Sequence, residues 1–268
     1  MTNYLFKSLF CILLCLGLFC PPAQADAPPP PQGLGKLAKA TDPHTVAESF
    51  LGIPYRVDGA IDDQGFFTLF ADPARRFSSP GLNCSGLVLG MSRFLLQKNI
   101  PLQGVLRDRL GDSGPGAKLG EDWDFGWDLV MNISEGIPRT LLLPDFAVAD
   151  PVAGSGIGPR GYDIHKPGSL EELGRRLRPG FLYLVSMSVE GRREGYPLSH
   201  YHVGLILVNG KGQAWFYQTT GRGGAANRRD LKSAAGRESF RKSFANGGDN
   251  RRMLLVVEVD LPARSGAD

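Results

Sequence analysis

The chain has 268 residues, 42% of them hydrophobic, with 30 Lys and Arg against 27 Asp and Glu for a formal net charge of +3. That much apolar material can bury a core as one domain or as a domain with a large insertion, which sets aside a wholly disordered chain. The charge is too small and too evenly spread to argue for a nucleic-acid partner, and the local group Arg228, Arg229 and Lys232 reads as solvated surface.

Residues 1–25 have the make-up of a secretory signal peptide. Lys7 supplies the positive flank, 9–19 an apolar run, and Ala23-Gln24-Ala25 a small-x-small cleavage site. The run is too short to span a bilayer comfortably, and no later stretch reads as a transmembrane helix. Cys20 is a second option as a lipid-attachment cysteine, but Phe19 fits poorly where a small residue should precede it. Plain cleavage after Ala25 is expected, with export to the periplasm or the cell exterior. Cleavage removes Lys7, Cys11, Cys15 and Cys20, so the mature charge drops to +2 and Cys84 is left as the one thiol. It cannot form an internal disulfide, and export normally accompanies paired cysteines, so Cys84 needs either burial or a chemical task.

Residues 26–41 are rich in proline and alanine and read as a flexible or polyproline leader. Asp42 then caps, Pro43 suits the first helical position, and a short helix is expected over 44–51, with His44 on the surface. The segment Gly52-Ile53-Pro54-Tyr55-Arg56-Val57-Asp58-Gly59 ends that helix, and 66–70 is a strand or part of an insertion. Next comes Asn83-Cys84-Ser85-Gly86-Leu87-Val88, between a turn-like approach and a helix expected over 85–97 whose apolar residues recur at helical spacing. The thiol thus falls in or near a first helical turn, where unpaired N–H groups and the helix dipole favour a thiolate. Until a partner is found, the same residue serves equally as a small buried hydrophobe. Gly86 and Gly90, four apart, allow close packing beside it.

From 107 to 168 the chain is rich in glycine and carries the patch Glu121-Asp122-Trp123-Asp124-Phe125-Gly126-Trp127-Asp128. An insertion with little regular structure is expected, apart from 141–146, in the role of a binding loop or lid. Asp122, Asp124 and Asp128 do not follow a calcium-loop spacing, so no metal is expected, and His165 has no recognisable partner. Ser169-Leu170-Glu171-Glu172 reads as a capping box opening a helix to about Leu177. Strands are expected over 181–189, 200–208, 214–219 and 253–261, with a polar loop at 190–199 and a hairpin at Asn209-Gly210-Lys211-Gly212. A polar stretch at 221–249 carries one possible helix over 239–244, and the tail from 263 is loose. Helices first and an antiparallel sheet after them make an α+β fold.

A nucleophilic thiol needs a base within hydrogen-bond reach, and the base needs a third group to hold its ring. His200 and His202 lie two apart on one expected strand, so period two puts them on the same face. His202, deeper in the strand and beside Gly204, which clears space on that face, is the better base; His200 lies at the entrance and could help bind substrate. The hairpin brings 202 opposite about 218 or 219, so Gln218 can orient the imidazole; Thr219 and Thr220 are weaker options.

Three islands in this order carry a resemblance. The Asn83–Val88 stretch resembles the cysteine motif of the NlpC/P60 family of papain-like hydrolases. His202-Val203-Gly204-Leu205-Ile206 with Asn209-Gly210 resembles its histidine strand and hairpin, and Gly52-Ile53-Pro54-Tyr55 with Gly59 its upstream segment. The resemblance implies a cysteine-bearing helix packed on a small antiparallel sheet bearing the histidine, over 42–262. It implies hydrolysis of amide bonds in cell-wall (peptidoglycan) peptides, with Cys84 as nucleophile, His202 as base and Gln218 in the third position. Tyr55 and the Cys84 or Ser85 amide would serve substrate or oxyanion, and no cofactor is needed. Trp123 and Trp127 would either stack on sugar rings or pack the insertion. The long gap between Cys84 and His202, and Phe181-Leu182 where members read aspartate-leucine, depart from the family pattern. A cysteine amidase, peptidase or acyltransferase acting on another substrate, and a cell-wall binding module without turnover, are the alternatives. The sequence says nothing of oligomeric state.

Overall fold

The computed structural model describes residues 42–111, 122–157, 160–193, 196–244 and 251–263; the expected signal peptide, the leader and residues 264–268 lie outside them. Among the described residues no helix is long and apolar enough to cross a membrane.

The fold is α+β, and its strands pair antiparallel. Helix α1 (Pro43–Ser49) starts as its sequence dictates: the Asp42 carboxylate accepts the Thr45 N–H and Pro43 needs no donor at the first position. Strands β1 (Gly59–Ile61) and β2 (Phe67–Leu69) form a separate two-stranded ribbon. Helix α2 (Cys84–Leu95) packs against it. Arg93, buried near the end of α2, locks the two together: its guanidinium donates to the carbonyls of Ile61, Asp62 and Ile100 at 2.8–2.9 Å and pairs with Asp63 at 2.7 Å.

Helix α3 (Phe125–Ile133), strands β3 (Arg139–Leu143), β4 (Phe146–Ala149) and β5 (Tyr162–Asp163), and helix α4 (Ser169–Arg176) follow. Then come β6 (Phe181–Arg193), β7 (Tyr196–Val208), β8 (Ala214–Thr219), β9 (Ala226–Asp230), α5 (Ala234–Phe244) and β10 (Arg252–Asp260). The large sheet runs β4-β3-β10-β6-β7-β8-β9, with β5 also paired to β10. Its two faces carry separate cores. Val203, Leu205, Leu184 and Val257 pack with α1, α2 and α3; Ile206, Phe216, Val185 and Val256 pack with Leu170 and Leu173 of α4 and Phe240 of α5. β7 is therefore covered on both sides, as its two apolar faces imply.

Four expectations are corrected. The 107–168 stretch is not largely irregular: it supplies α3 to one core and strands β3, β4 and β5 to the main sheet, β3 pairing with β10 from Val256↔Leu142 to Val259↔Arg139. The capping box at Ser169 does not form; Gly168, at φ +82°, is the N-cap and Ser169 is already helical. Residues 190–199 are mainly the arms of the β6–β7 hairpin. The polar stretch after Gly221 contains β9, and α5 begins at Ala234, well before 239.

Candidate active site

The start of α2 is fixed by two bonds. Asn83, extended at φ −88° and ψ −176°, accepts the Gly86 N–H on Oδ1 at 2.7 Å and donates its own N–H to the Gly59 carbonyl at 3.0 Å. That carbonyl lies where only glycine fits: a Cβ on Gly86 would come within 2.0 Å of it. Cys84 is thus the first residue of a firmly anchored helix, half-buried, with Ser85 buried beside it. Tyr55 is laid alongside by backbone pairing. Leu82 N–H donates to Pro54 O at 3.0 Å, Arg56 N–H to Leu82 O at 3.2 Å, and Tyr55 N–H to Gly224 O at 2.8 Å.

The imidazole comes from β7. The β7–β8 ladder runs from Val208↔Ala214 only to Leu205↔Tyr217. Two residues past its end, the Val203 N–H is directed at the Cys84 sulfur, which also contacts the His202 ring. His202 Nε2 lies 2.8 Å from Gln218 Oε1. Burial pushes the Cys84 thiol up. The hydrogen bond and charge of His202, the Val203 N–H and the Ser85 hydroxyl more than offset this, and the thiol is lowered from 9.0 to about 7. Burial first, and then the negative charge on Cys84, raise the Tyr55 hydroxyl above its ordinary value. A cleft of about 810 Å³ opens over these groups, lined among others by Tyr55, Asp58, Cys84, Ser85, Asp122 and His202. Sequence reasoning thus brought Cys84, His202, Gln218, Tyr55 and Ser85 to one place, and the structure keeps them together. Gln218 does not sit directly across from His202. The ladder continued past its last pair puts it level with Gly204, on a diagonal. The space over Gly204 is filled by the Phe216 ring, 2.4 Å from where a Cβ would stand, so it serves packing and not the imidazole.

His200 does not share the face of His202. Met187 pairs with His202 and Ser188 with His200, so Tyr201 is an extra residue on β7, a bulge that breaks the period of two. His200 is turned into the wall formed by α3. Its Nε2–H donates to Gly156 O at 3.1 Å, so Nδ1 accepts from the Ser186 hydroxyl at 2.9 Å. Burial lowers its pKa to about 4. Its edge reaches the cleft, yet both ring nitrogens are committed to protein partners. Trp123 and Trp127 are 4% and 0% exposed and flank His200 at ring-centroid distances of 6.2 Å; Trp127 Nε1 donates to Ala153 O at 2.8 Å. Of the two roles open to these tryptophans, the structure gives them packing, and no ring face is left for a sugar.

Asp122, Asp124 and Asp128 converge despite their irregular spacing, one oxygen of each lying within 4.8 Å of the others. Arg109 N–H donates to Asp128 at 2.7 Å. Burial, aided by the charges of Asp122 and Asp108, pushes the Asp128 carboxyl up to about 6. His165 is exposed and is not among the residues lining the cleft.

Two residues near the site escaped the sequence reading. Asp58, at φ +59°, accepts the Ala71 N–H on its carboxylate at 2.8 Å and forms part of the cleft; the only sequence signal was its place before Gly59 in a turn. Asn227 pairs with Gln218 across β8 and β9, on a strand that was not anticipated.

No protein-family model, curated protein or solved structure matches the chain.

Proposed function

We propose that the protein is an exported cysteine hydrolase of papain-like, NlpC/P60-type design that cleaves amide bonds in cell-wall peptides. One observation carries this reading: the Cys84 thiol is lowered, despite its burial, to about 7 chiefly by the imidazole of His202, whose Nε2 lies 2.8 Å from Gln218 Oε1. A structural cysteine has no use for such a partner, whereas a nucleophile working near neutrality does. The resemblance of the Cys84, His202 and Tyr55 segments supplies the substrate class.

The Cys84 thiolate attacks the amide carbonyl, and a C–S bond forms as the carbonyl electrons move to oxygen. With the Gly86 N–H taken by Asn83, the amides of Cys84 and Ser85 are the helix-end donors available to that oxyanion. The tetrahedral species collapses, the C–N bond breaks, and the imidazolium gives its proton to the departing amine. Water then attacks the thioester, His202 takes its proton, and release of the carboxylic acid returns the thiol. Each step uses only groups of this chain and water.

The test is to incubate the protein with muropeptides and with a panel of amides and thioesters, and to find new termini by mass spectrometry. Cleavage of muropeptides, lost in Cys84→Ala, is expected. Cleavage of other amides alone would keep the chemistry and replace the substrate; equal cleavage by Cys84→Ala would overturn both.

A further inference from the structure

The hydrogen bonds behind His202 continue one residue further than a triad, and their direction is set by a group that cannot reverse. Ala225 offers a carbonyl, which only accepts. Asn227 Nδ2 donates to it at 2.9 Å, so Asn227 Oδ1 is turned the other way, toward the residue across the ladder. That residue is Gln218, and its Nε2 donates to Asn227 Oδ1 at 3.4 Å. The Gln218 Oε1 is then the atom left for the imidazole, 2.8 Å from His202 Nε2. An amide oxygen accepts only, so Nε2 must carry hydrogen, and Nδ1 is presented as the proton acceptor. The Ala225 peptide is itself pinned: its carbonyl accepts from the Thr220 N–H at 3.3 Å and its N–H donates to the Thr220 hydroxyl at 3.1 Å.

The geometry points to Asn227 as a positioning residue that fixes the polarity of the Gln218 amide and, through it, the tautomer of His202. This rests on the reading of Cys84 and His202 as the reacting pair. Gln218 alone could rotate its amide by half a turn at little cost in shape. Its NH₂ would then face Nε2, favour the wrong tautomer and repel the imidazolium that stabilises the thiolate. Asn227 makes that flip unfavourable, because two N–H groups, or two oxygens, would be left facing each other in a part-buried ladder.

The experiment is the pH profile of Cys84 alkylation by iodoacetamide in the full chain. Asn227→Leu keeps the size and removes both hydrogen-bonding groups. It is expected to raise the midpoint by about one unit and cut the rate at pH 7 roughly fivefold. Asn227→Asp keeps an acceptor for the Gln218 amide and is expected to leave the midpoint at or below that of the wild type. Gln218→Glu presents an acceptor whichever oxygen faces the ring, so adding Asn227→Leu to it should raise the midpoint no further. A merely structural Asn227 would move both backgrounds alike. An unshifted midpoint in Asn227→Leu, an equal rise in the two backgrounds, or a rise of about one unit in Asn227→Asp overturns the assignment. His202→Ala in parallel separates this from the parent reading: if it too leaves the profile unchanged, the reacting pair itself is wrong.

Discussion

His200 and His202 are two residues apart on one strand and have opposite fates. His202 stands three residues past the end of the β7–β8 ladder, half-buried, with one nitrogen on Gln218 and its ring beside a thiol. His200 lies past a bulge, both nitrogens bonded, between Trp123 and Trp127, its pKa pushed down to about 4 by burial. One wall of the cleft therefore holds a thiol lowered to about 7 beside an imidazole bonded to Gln218; another holds groups locked into structure. Residue type does not separate the two histidines. What separates them is whether the second nitrogen is left on the side of the thiol or spent on a carbonyl.

That contrast can be broken most severely at the reacting wall. His202→Ala is expected to lower turnover by about 10²–10⁴-fold with the fold retained, as judged by circular dichroism. His200→Gln should leave alkylation of Cys84 close to wild type and act on stability. At the locked wall, Trp127→Ala is expected to cost about 3–5 kcal/mol in a denaturant melt, because a fully buried ring and its bond to Ala153 O are lost together. An effect below about 1 kcal/mol would show that the wall is not packed as described.

The pH dependence of stability sharpens the same comparison. His200 is held below its ordinary 6.5, so its contribution is present above that value and lost as pH falls toward about 4. Asp128 is held above its ordinary 3.8, so its contribution is present below that value and lost as pH rises toward about 6. Each is worth up to roughly 3 kcal/mol, with opposite signs in overlapping windows. Stability of the wild type should change little between pH 4 and 6 on their account. Asp128→Asn should unmask a loss on acidification, read as a falling urea midpoint. A variant as flat as the wild type would contradict the burial assigned to His200. The smallest effect is expected at Gly156, where a Cβ would stand 2.4 Å from the Trp127 ring. Gly156→Ala should cost about 1–3 kcal/mol.

The reacting wall was far more legible in the sequence than the locked one. Asp42 and Pro43 announce α1, the apolar spacing after Cys84 announces α2, and Asn209 to Gly212 announces a hairpin that brings Gln218 near His202. These are local signals, read within a few residues of where they act. The locked wall depends on partners far apart in the chain. Nothing in Arg139–Leu143 says that it will pair with β10, and nothing near Tyr201 marks the bulge that turns His200 away. Strand β9 was hidden by its polar sequence, Ala-Asn-Arg-Arg-Asp, since an edge strand covered on few sides need not be apolar. The Ser169 capping box failed because Gly168, free to take a positive φ, started the helix one residue early. The role of the tryptophans in the 121–128 patch stayed open between binding and packing because sequence cannot tell an exposed aromatic from one that anchors a loop.

The central claim is that His202 makes the Cys84 thiolate, and the direct measurement is the ultraviolet thiolate titration of Cys84 in wild type and His202→Ala. The expected wild-type midpoint is about 7, rising in His202→Ala toward the ordinary thiol value once the partner is gone. A midpoint that stays near 7 without the imidazole would contradict it.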